Sequence, residues 1–356
     1  MGAAIPLSDH AIIREDMDFV LTHCGNEFKK LAGAKILITG ASGFVGSYLV
    51  ESLLAWNQHF PEQAIRAVLT TRSLAATRKK WPGLFDHSTV TWIEWDGEVA
   101  TLPDVACTYI VHAAAPTDPA QIAAAPAQAM HSIFTMSEAL LALGRKQNIH
   151  SMLYLSSGAV YGRQPADLPA IPESYQGAPN INNQNSCYGE AKRASELLCV
   201  LSGLPVVRAR LFAFIGPYQD LGGSFAVPDF IRQAIARQEI TLQSDGSALR
   251  TFCYAADLTV VLWKLLLQGR GGDVYNVGGE EVVSIIEVAN FIAECVAGKT
   301  IVAADLTQFD QSRQRYVPDI TRLKSIYTPQ IGWRQALRRT LAAHGASGRT
   351  METICA

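Results

Sequence analysis

Seven short apolar runs are spaced along the chain, and longer stretches with helical spacing separate them. The runs are "KILITG" (35–40), "IRAVLTTR" (65–72), "TVTWIEWD" (89–96), "YIVHAAA" (109–115), "SMLYLSS" (151–157), "PVVRARLFAF" (205–214) and "DVYNVGG" (273–279). Most carry apolar residues at consecutive positions, the pattern of strands covered on both faces. "GSYLVESLLAWN" follows the first run, an Ala-rich stretch the fourth, and a segment opening on Tyr188 the fifth; each reads as a crossover helix. Such alternation builds a parallel sheet through right-handed crossovers. The fold class expected is α/β: a doubly wound parallel Rossmann sheet with a smaller, mostly helical C-terminal substrate lobe.

The same pattern divides the chain. Residues 1–33 stand apart as a helical extension, with Ser8 or Asp9 as a cap and Ile12, Ile13, Met17, Val20 and Leu21 on one face. This amphipathic helix is expected to pack on the body or on a second subunit. Residues 34–216 form the dinucleotide-binding unit, joined by the strand at 273–279. Residues 217–345 form the lobe, with helices in "DFIRQAIARQ", "DLTVVLWKLLLQ" and "SIIEVANFIAECVAG". Together with the loop 162–187 they are expected over the carboxyl edge of the sheet, where open α/β sheets bind ligands. Residues 346–356 read as a tail.

Composition narrows the partners. Of 356 residues, 49% are hydrophobic and 17% charged, so a large core is expected. The net charge of −2 comes without a basic or acidic block, which excludes nucleic acid or an anionic membrane as the main partner. The seven cysteines are scattered, with no metal-ligand spacing, and read as reduced thiols of a cytoplasmic protein. No metal site, membrane span or signal peptide is expected.

The first strand runs into "TGASGFVG", with Gly40, Gly43 and Gly46 spaced G-x-x-G-x-x-G. A dinucleotide pyrophosphate needs the backbone amides of a helix N-terminus with no side chain in the way. A glycine triplet alone also describes an ordinary turn, but here a buried strand precedes it and a helix follows. Phe44 and Val45 lie in the same turn and are assigned to the cofactor with it. The second strand ends in "LTTRS", with no acid for a ribose 2′-hydroxyl and with Arg72 placed for a 2′-phosphate, which favours NADP(H) over NAD(H). Asp96, after the third strand, is placed for the adenine amino group. Ala113 and Ala114, after the fourth, let the chain pass close to a cofactor, whereas His112 reads as a structural histidine.

Tyr188 and Lys192 are four apart and share a helix face. A tyrosine is a poor base at neutral pH unless positive charge stabilises its phenolate. The Lys192 ammonium and an oxidised nicotinamide would supply that charge, and Tyr188 would then exchange a proton with a secondary alcohol. Ser157, at the end of the fifth strand, would steady the charge on the same oxygen.

With these residues the chain resembles the extended short-chain dehydrogenases/reductases, of the NAD(P)-dependent epimerase/dehydratase type that modifies nucleotide sugars. The resemblance rests on "TGASGFVG", "SSGAVYG", "YGEAK", "RLFAFIGP", "LRTFCYAADL", "YNVGG" and "RYVPD", and spans about residues 34–335. It implies that Ser157, Tyr188 and Lys192 are the catalytic triad and that a nucleoside diphosphate (NDP) sugar is the substrate. It implies that Arg250 binds the diphosphate and that Arg315 does the same or touches the ribose. Ala213 stands where many members carry an asparagine that meets the substrate. A homodimer built on two helices per subunit, one of them 188–202, is also implied.

The family's shared step is oxidation at C4 of the sugar. Dehydratases follow the serine or threonine with an Asp-Glu pair, and sugar-acid decarboxylases carry a glutamate two positions on. Here Gly158 and Ala159 follow Ser157, and neither moves a proton. The expected activities are therefore those of an NDP-4-keto-6-deoxysugar reductase or an NDP-sugar 4-epimerase. The alternatives are a 4,6-dehydratase drawing on Asp167 or Glu173 and, in another class, a non-catalytic dinucleotide sensor. Glu190, two residues after Tyr188, faces away from it.

Overall fold

The computed structural model describes residues 10–97, 102–302 and 315–345. Helix α1 (Ala11–Lys30) leads into strand β1 (Lys35–Thr39), α2 (Phe44–His59) and β2 (Arg66–Thr71). Helices α3 (Leu74–Lys80) and α4 (Pro82–Phe85) precede β3 (Val90–Glu94) and β4 (Tyr109–His112). Helices α5 (Pro119–Ala124) and α6 (Pro126–Gln147) lead to β5 (Ser151–Ser157), α7 (Cys187–Leu201) and β6 (Val206–Leu211). Next come β7 (Phe214–Ile215), α8 (Ala226–Arg237), β8 (Glu239–Leu242), β9 (Leu249–Arg250), β10 (Cys253–Tyr254) and α9 (Ala255–Gln268). The remainder is β11 (Val274–Val277), β12 (Val283–Ser284), α10 (Ile285–Cys295), β13 (Lys299–Val302), β14 (Arg315–Tyr316), α11 (Thr321–Lys324) and α12 (Trp333–Ala343).

Strands β11, β6, β5, β4, β1, β2 and β3 lie side by side in that order, every pair parallel. The order reverses between β1 and β4, which opens a crevice at their carboxyl ends. Alternation along β1 shows why the run is apolar throughout. Ile36 and Ile38 enter one core with α1, α2 and α9, and Leu37 enters the other with α6 and α7.

Two expectations need correction. The segment 217–270 was expected in the lobe, but α9 packs on the sheet beside α1 and α2. Its Leu258, Val261, Leu262, Trp263 and Leu265 are all buried. A helix apolar around most of its circumference belongs in a core, and "DLTVVLWKLLLQ" is such a helix. The N-terminal helix is capped by His10, whose Nδ1 accepts from the Ile12 amide at 3.2 Å; Ser8 and Asp9 lie outside the described residues. Helix α1 packs on the body, burying Ile13, Met17, Val20, Cys24 and Phe28.

Beyond the main sheet lie α8, α10 and three small sheets: β7 with β10, β8 with β13, and β12, β9 and β14 together. The loop after β5 is tied to the last of these regions, because Ile171 exchanges backbone hydrogen bonds with Val317 at 2.9 Å and Asp319 at 2.8 Å. No helix among the described residues is long and apolar enough to cross a membrane.

Candidate active site

The turn after β1 is closed by backbone contacts that exclude side chains. Gly40 has φ +70°, and a Cβ there would lie 2.7 Å from the Ala114 amide nitrogen. Glycine thus lets the turn press against the end of β4, at Ala113 and Ala114. A Cβ on Gly46 would lie 2.1 Å from the Gly40 carbonyl oxygen, so α2 packs directly onto the turn. Gly43 is the N-cap of α2 and no side chain caps this helix. The first-turn amides therefore lack helical partners and stand at the positive end of the helix dipole. This cradle fits a dinucleotide pyrophosphate. Phe44 and Val45 are half-buried, and Phe44 stacks on Phe214 with ring centroids 5.2 Å apart.

Behind the turn, Thr39 Oγ1 lies 2.9 Å from His112 Nδ1 and accepts from the Ala114 amide at 3.2 Å. His112 is buried and also meets Ser137 Oγ at 3.3 Å. Burial, and then the nearby Lys192 charge, hold its pKa well below the usual histidine value. Arg72 is exposed just past β2 and makes no hydrogen bond or ion pair among the described residues. Asp96 is exposed just past β3.

The catalytic candidates converge from β5 and α7. Ser157 is the last residue of β5, and its Oγ accepts from the Ala159 amide at 3.1 Å. Tyr188 and Lys192 lie on the first turns of α7. The Lys192 side chain is buried, donates to the Leu155 carbonyl at 2.7 Å and lies 4.9 Å from the Tyr154 ring centroid. Burial lowers its pKa to about 8, against the opposing pull of Cys199 and Glu196. Burial raises the Tyr188 pKa, Tyr316 adds to the rise, and a hydrogen bond with Ser157 opposes it. The expectation that Lys192 lowers the Tyr188 pKa is therefore not met in the chain alone. Desolvation by burial is the largest influence on it.

One turn beyond Lys192, Glu196 accepts from Ser156 Oγ at 2.5 Å and from Arg210 Nη2 at 2.6 Å. This buried pair braces α7 against β5 and β6. The other carboxylates are engaged elsewhere. Glu173 accepts from the Asn276 amide at 2.8 Å and lines a separate cavity of about 380 Å³ with Arg193 and Arg210. Glu190 lies 3.9 Å from Arg193, and Asp167 is exposed.

Beside Ser157, a residue passed over in the sequence comes forward. A Cβ on Gly158 would lie 2.6 Å from the Tyr316 hydroxyl and 2.7 Å from the Phe212 ring. The Phe212 and Tyr316 rings are in contact at a tilt of 35°, with centroids 4.5 Å apart. Tyr316 sits in the quoted "RYVPD", next to the arginine chosen from it. The signal that could have found it is strand alternation. Strand β14 pairs with β9 so that Tyr316 faces Arg250 and Arg315 faces Leu249. Arg250 thus shares a face with Tyr316, its guanidinium carbon 5.9 Å from that ring. Arg315 is on the other face, donating to the Pro169 carbonyl at 3.2 Å and lining a cavity of about 280 Å³ with Arg163 and Ser247. Arg250 is brought to the Tyr316 end of the site and Arg315 is not. The two arginines therefore lie on opposite faces, because a one-residue step reverses the face. Ala213 is half-buried and contributes its carbonyl to the Cys253 amide at 3.0 Å.

Known proteins are similar to this chain in sequence and in fold. UDP-glucuronic acid decarboxylase 5 of Arabidopsis thaliana is 29% identical, over 85% of this chain and 87% of its own length. Among solved structures, the UDP-glucose 4-epimerase of Thermotoga maritima with UDP-glucose superposes with a TM-score of 0.71 at 19% identity, covering 87% of this chain and 98% of the other. RMD from Pseudomonas aeruginosa, complexed with NADPH, does so with a TM-score of 0.67 at 24% identity, covering 88% and 100%. The sequence matches the NAD dependent epimerase/dehydratase family over residues 36–278, from β1 through β11. A glycine cradle at the sheet's switch point, a Ser-Tyr-Lys group beside it and this match lead to one conclusion: the chain belongs to the NAD dependent epimerase/dehydratase family, enzymes of the extended short-chain dehydrogenase/reductase type.

Proposed function

We propose that this chain transfers hydride at a sugar carbon, C4 of an NDP-hexose, and leaves the carbon skeleton and the remaining hydroxyls intact. It then acts as an NDP-4-keto-6-deoxysugar reductase or an NDP-sugar 4-epimerase. One observation carries the reading: the complete group of Ser157, Tyr188 and Lys192 comes with Gly158 and Ala159, not acids, directly after Ser157. Dehydration would call for proton-moving side chains at positions 158 and 159, where this chain has Gly158 and Ala159. The space a side chain at 158 would need is filled by Tyr316 and Phe212. Decarboxylation, the activity named for the Arabidopsis relative, would call for a glutamate at position 159. Glu173 and Glu190, the nearby carboxylates, have other partners.

In this reading the first turn of α2 holds the pyrophosphate, and Arg72 accepts a 2′-phosphate, which favours NADP(H) over NAD(H). When bound, the nicotinamide accepts or gives the hydride. Tyr188 passes its proton to the C4 oxygen in reduction and recovers it in oxidation. Ser157 hydrogen-bonds the same oxygen and steadies the charge that develops there. Lys192 keeps positive charge beside the phenol. Arg250 neutralises the substrate diphosphate. The exposed Leu197, Val200 and Leu201 of α7, with Met130 and Phe134 of α6, supply an apolar face for a homodimer, which sedimentation tests.

The test is to denature the purified protein and identify the released nucleotide by mass. Stoichiometric dinucleotide, with interconversion of an NDP-hexose pair, supports the epimerase. An empty protein that binds NADPH reversibly and consumes it with an NDP-4-keto-6-deoxyhexose supports the reductase. Release of water or carbon dioxide from the sugar overturns both.

A further inference from the structure

Helix α1 lies wholly before the family match, yet it reaches the cofactor turn. Its Ile13 and Met17 form a small apolar cluster with Tyr48 and Ala255, and Phe44 and Tyr218 pack against that cluster. Phe44 is the first residue of α2, directly after Gly43. Its ring meets Tyr48 edge-on at 5.9 Å, and Tyr48 meets Tyr218 edge-on at 5.4 Å. Above this cluster, α1 buries a carboxylate. Asp16 Oδ2 accepts from Tyr48 at 2.8 Å and from Tyr254 at 2.7 Å, while its Oδ1 accepts from Arg339 Nη2 at 2.8 Å. One buried carboxylate thus ties α1 to α2, to the start of α9 and to α12. A buried charge is tolerated only when its lone pairs are met in this way, so each partner is held in a fixed place.

We infer that α1 is a cofactor-affinity element, with Asp16 as a positioning residue that holds the first turns of α2 in the dinucleotide-binding geometry through Tyr48. The inference rests on the reading of that turn as the pyrophosphate cradle. The path is short: Asp16 fixes the Tyr48 hydroxyl, Tyr48 fixes the Phe44 ring, and Phe44 begins the turn whose amides meet the phosphates. Small displacements of such amides are costly, because their hydrogen bonds to an anion depend on direction.

Two substitutions on the same carboxylate oxygen separate this role from general stability. Tyr48→Phe removes only a hydroxyl that links Asp16 to α2. Tyr254→Phe removes the matching hydroxyl that links it to α9. Dissociation constants for NADPH and NAD⁺ are measured by titration calorimetry on the full chain, with thermal melts and amide exchange at residues 43–47. The expected result is that Tyr48→Phe weakens dinucleotide binding about fivefold, the worth of one buried hydrogen bond. Its amides at 43–47 exchange faster, and Tyr254→Phe melts at a similarly lowered temperature with unchanged affinity. Equal affinity loss in both variants, or none in Tyr48→Phe with unchanged exchange, overturns the inference. Wild-type protein that binds neither dinucleotide overturns the reading of the cradle itself, and the inference with it.

Discussion

The two halves of the site are built differently. The half proposed for the cofactor is centred on one contiguous piece of chain: β1, a glycine turn and the start of α2 lie within residues 35–48. The half proposed for the sugar is assembled from Gly158, Phe212, Arg250 and Tyr316, which the sequence scatters from the end of β5 to β14. Backbone amides do the work in the first, and side chains meeting across elements do it in the second. A contiguous backbone device tolerates little change, whereas a patchwork of side chains can be refitted to different sugars.

Substitutions can break that contrast or sharpen it. The largest effect is expected where the halves meet. Tyr188→Phe should lower kcat by about a thousandfold, the middle of the range for a lost acid–base group, and leave dinucleotide affinity unchanged in a titration. In the cofactor half, Gly46→Ala places a methyl against the Gly40 carbonyl. A cost of about 3 kcal/mol is expected, seen as a lowered Tm and lost dinucleotide binding. In the sugar half, Gly158→Ala should cost about 2 kcal/mol, and Tyr316→Ala should relieve part of it, because both partners there are side chains. A double-mutant cycle in denaturant measures that coupling. No matching rescue is available to Gly46, whose neighbour is backbone.

Smaller effects concern charge. The Lys192 pKa is pushed down to about 8 by burial, so its ammonium is present below that pH and lost above it. The Tyr188 phenol, raised by the same burial, keeps its proton through this range. Reduction should therefore run at a plateau below pH about 8 and fall as pH rises through it. Lys192→Arg should move the falling limb upward in a pH–rate profile. Smallest of all, Arg72→Ala should weaken NADPH about tenfold and NADH hardly at all, the loss of one exposed phosphate contact.

The contrast also marks what the sequence discloses. All seven strands of the main sheet, and the placement of Tyr188 and Lys192 on one helix, are legible in it, because runs of buried residues and a four-residue helix spacing are local signals. The glycine turn is legible for the same reason. Helix α9 was misplaced because a helix's partners are not written in its own residues. That Arg315 and Arg250 lie on opposite faces was not legible, because the one-residue register of β14 on β9 depends on a strand far away in sequence. Tyr316 went unnoticed because its role at Gly158 exists only once the lobe closes over β5. The raised Tyr188 pKa follows from burial, which no spacing announces.

The central claim is that hydride moves at the sugar while nothing else leaves it. The most direct measurement is the product mass from nucleotide sugars incubated with the enzyme and deuterated NADPH. The account predicts either a 4-keto-6-deoxy sugar that gains one deuteride and one proton, or an NDP-hexose converted at constant mass. Tyr188→Phe should abolish either outcome. A product lighter by water or by carbon dioxide would contradict it.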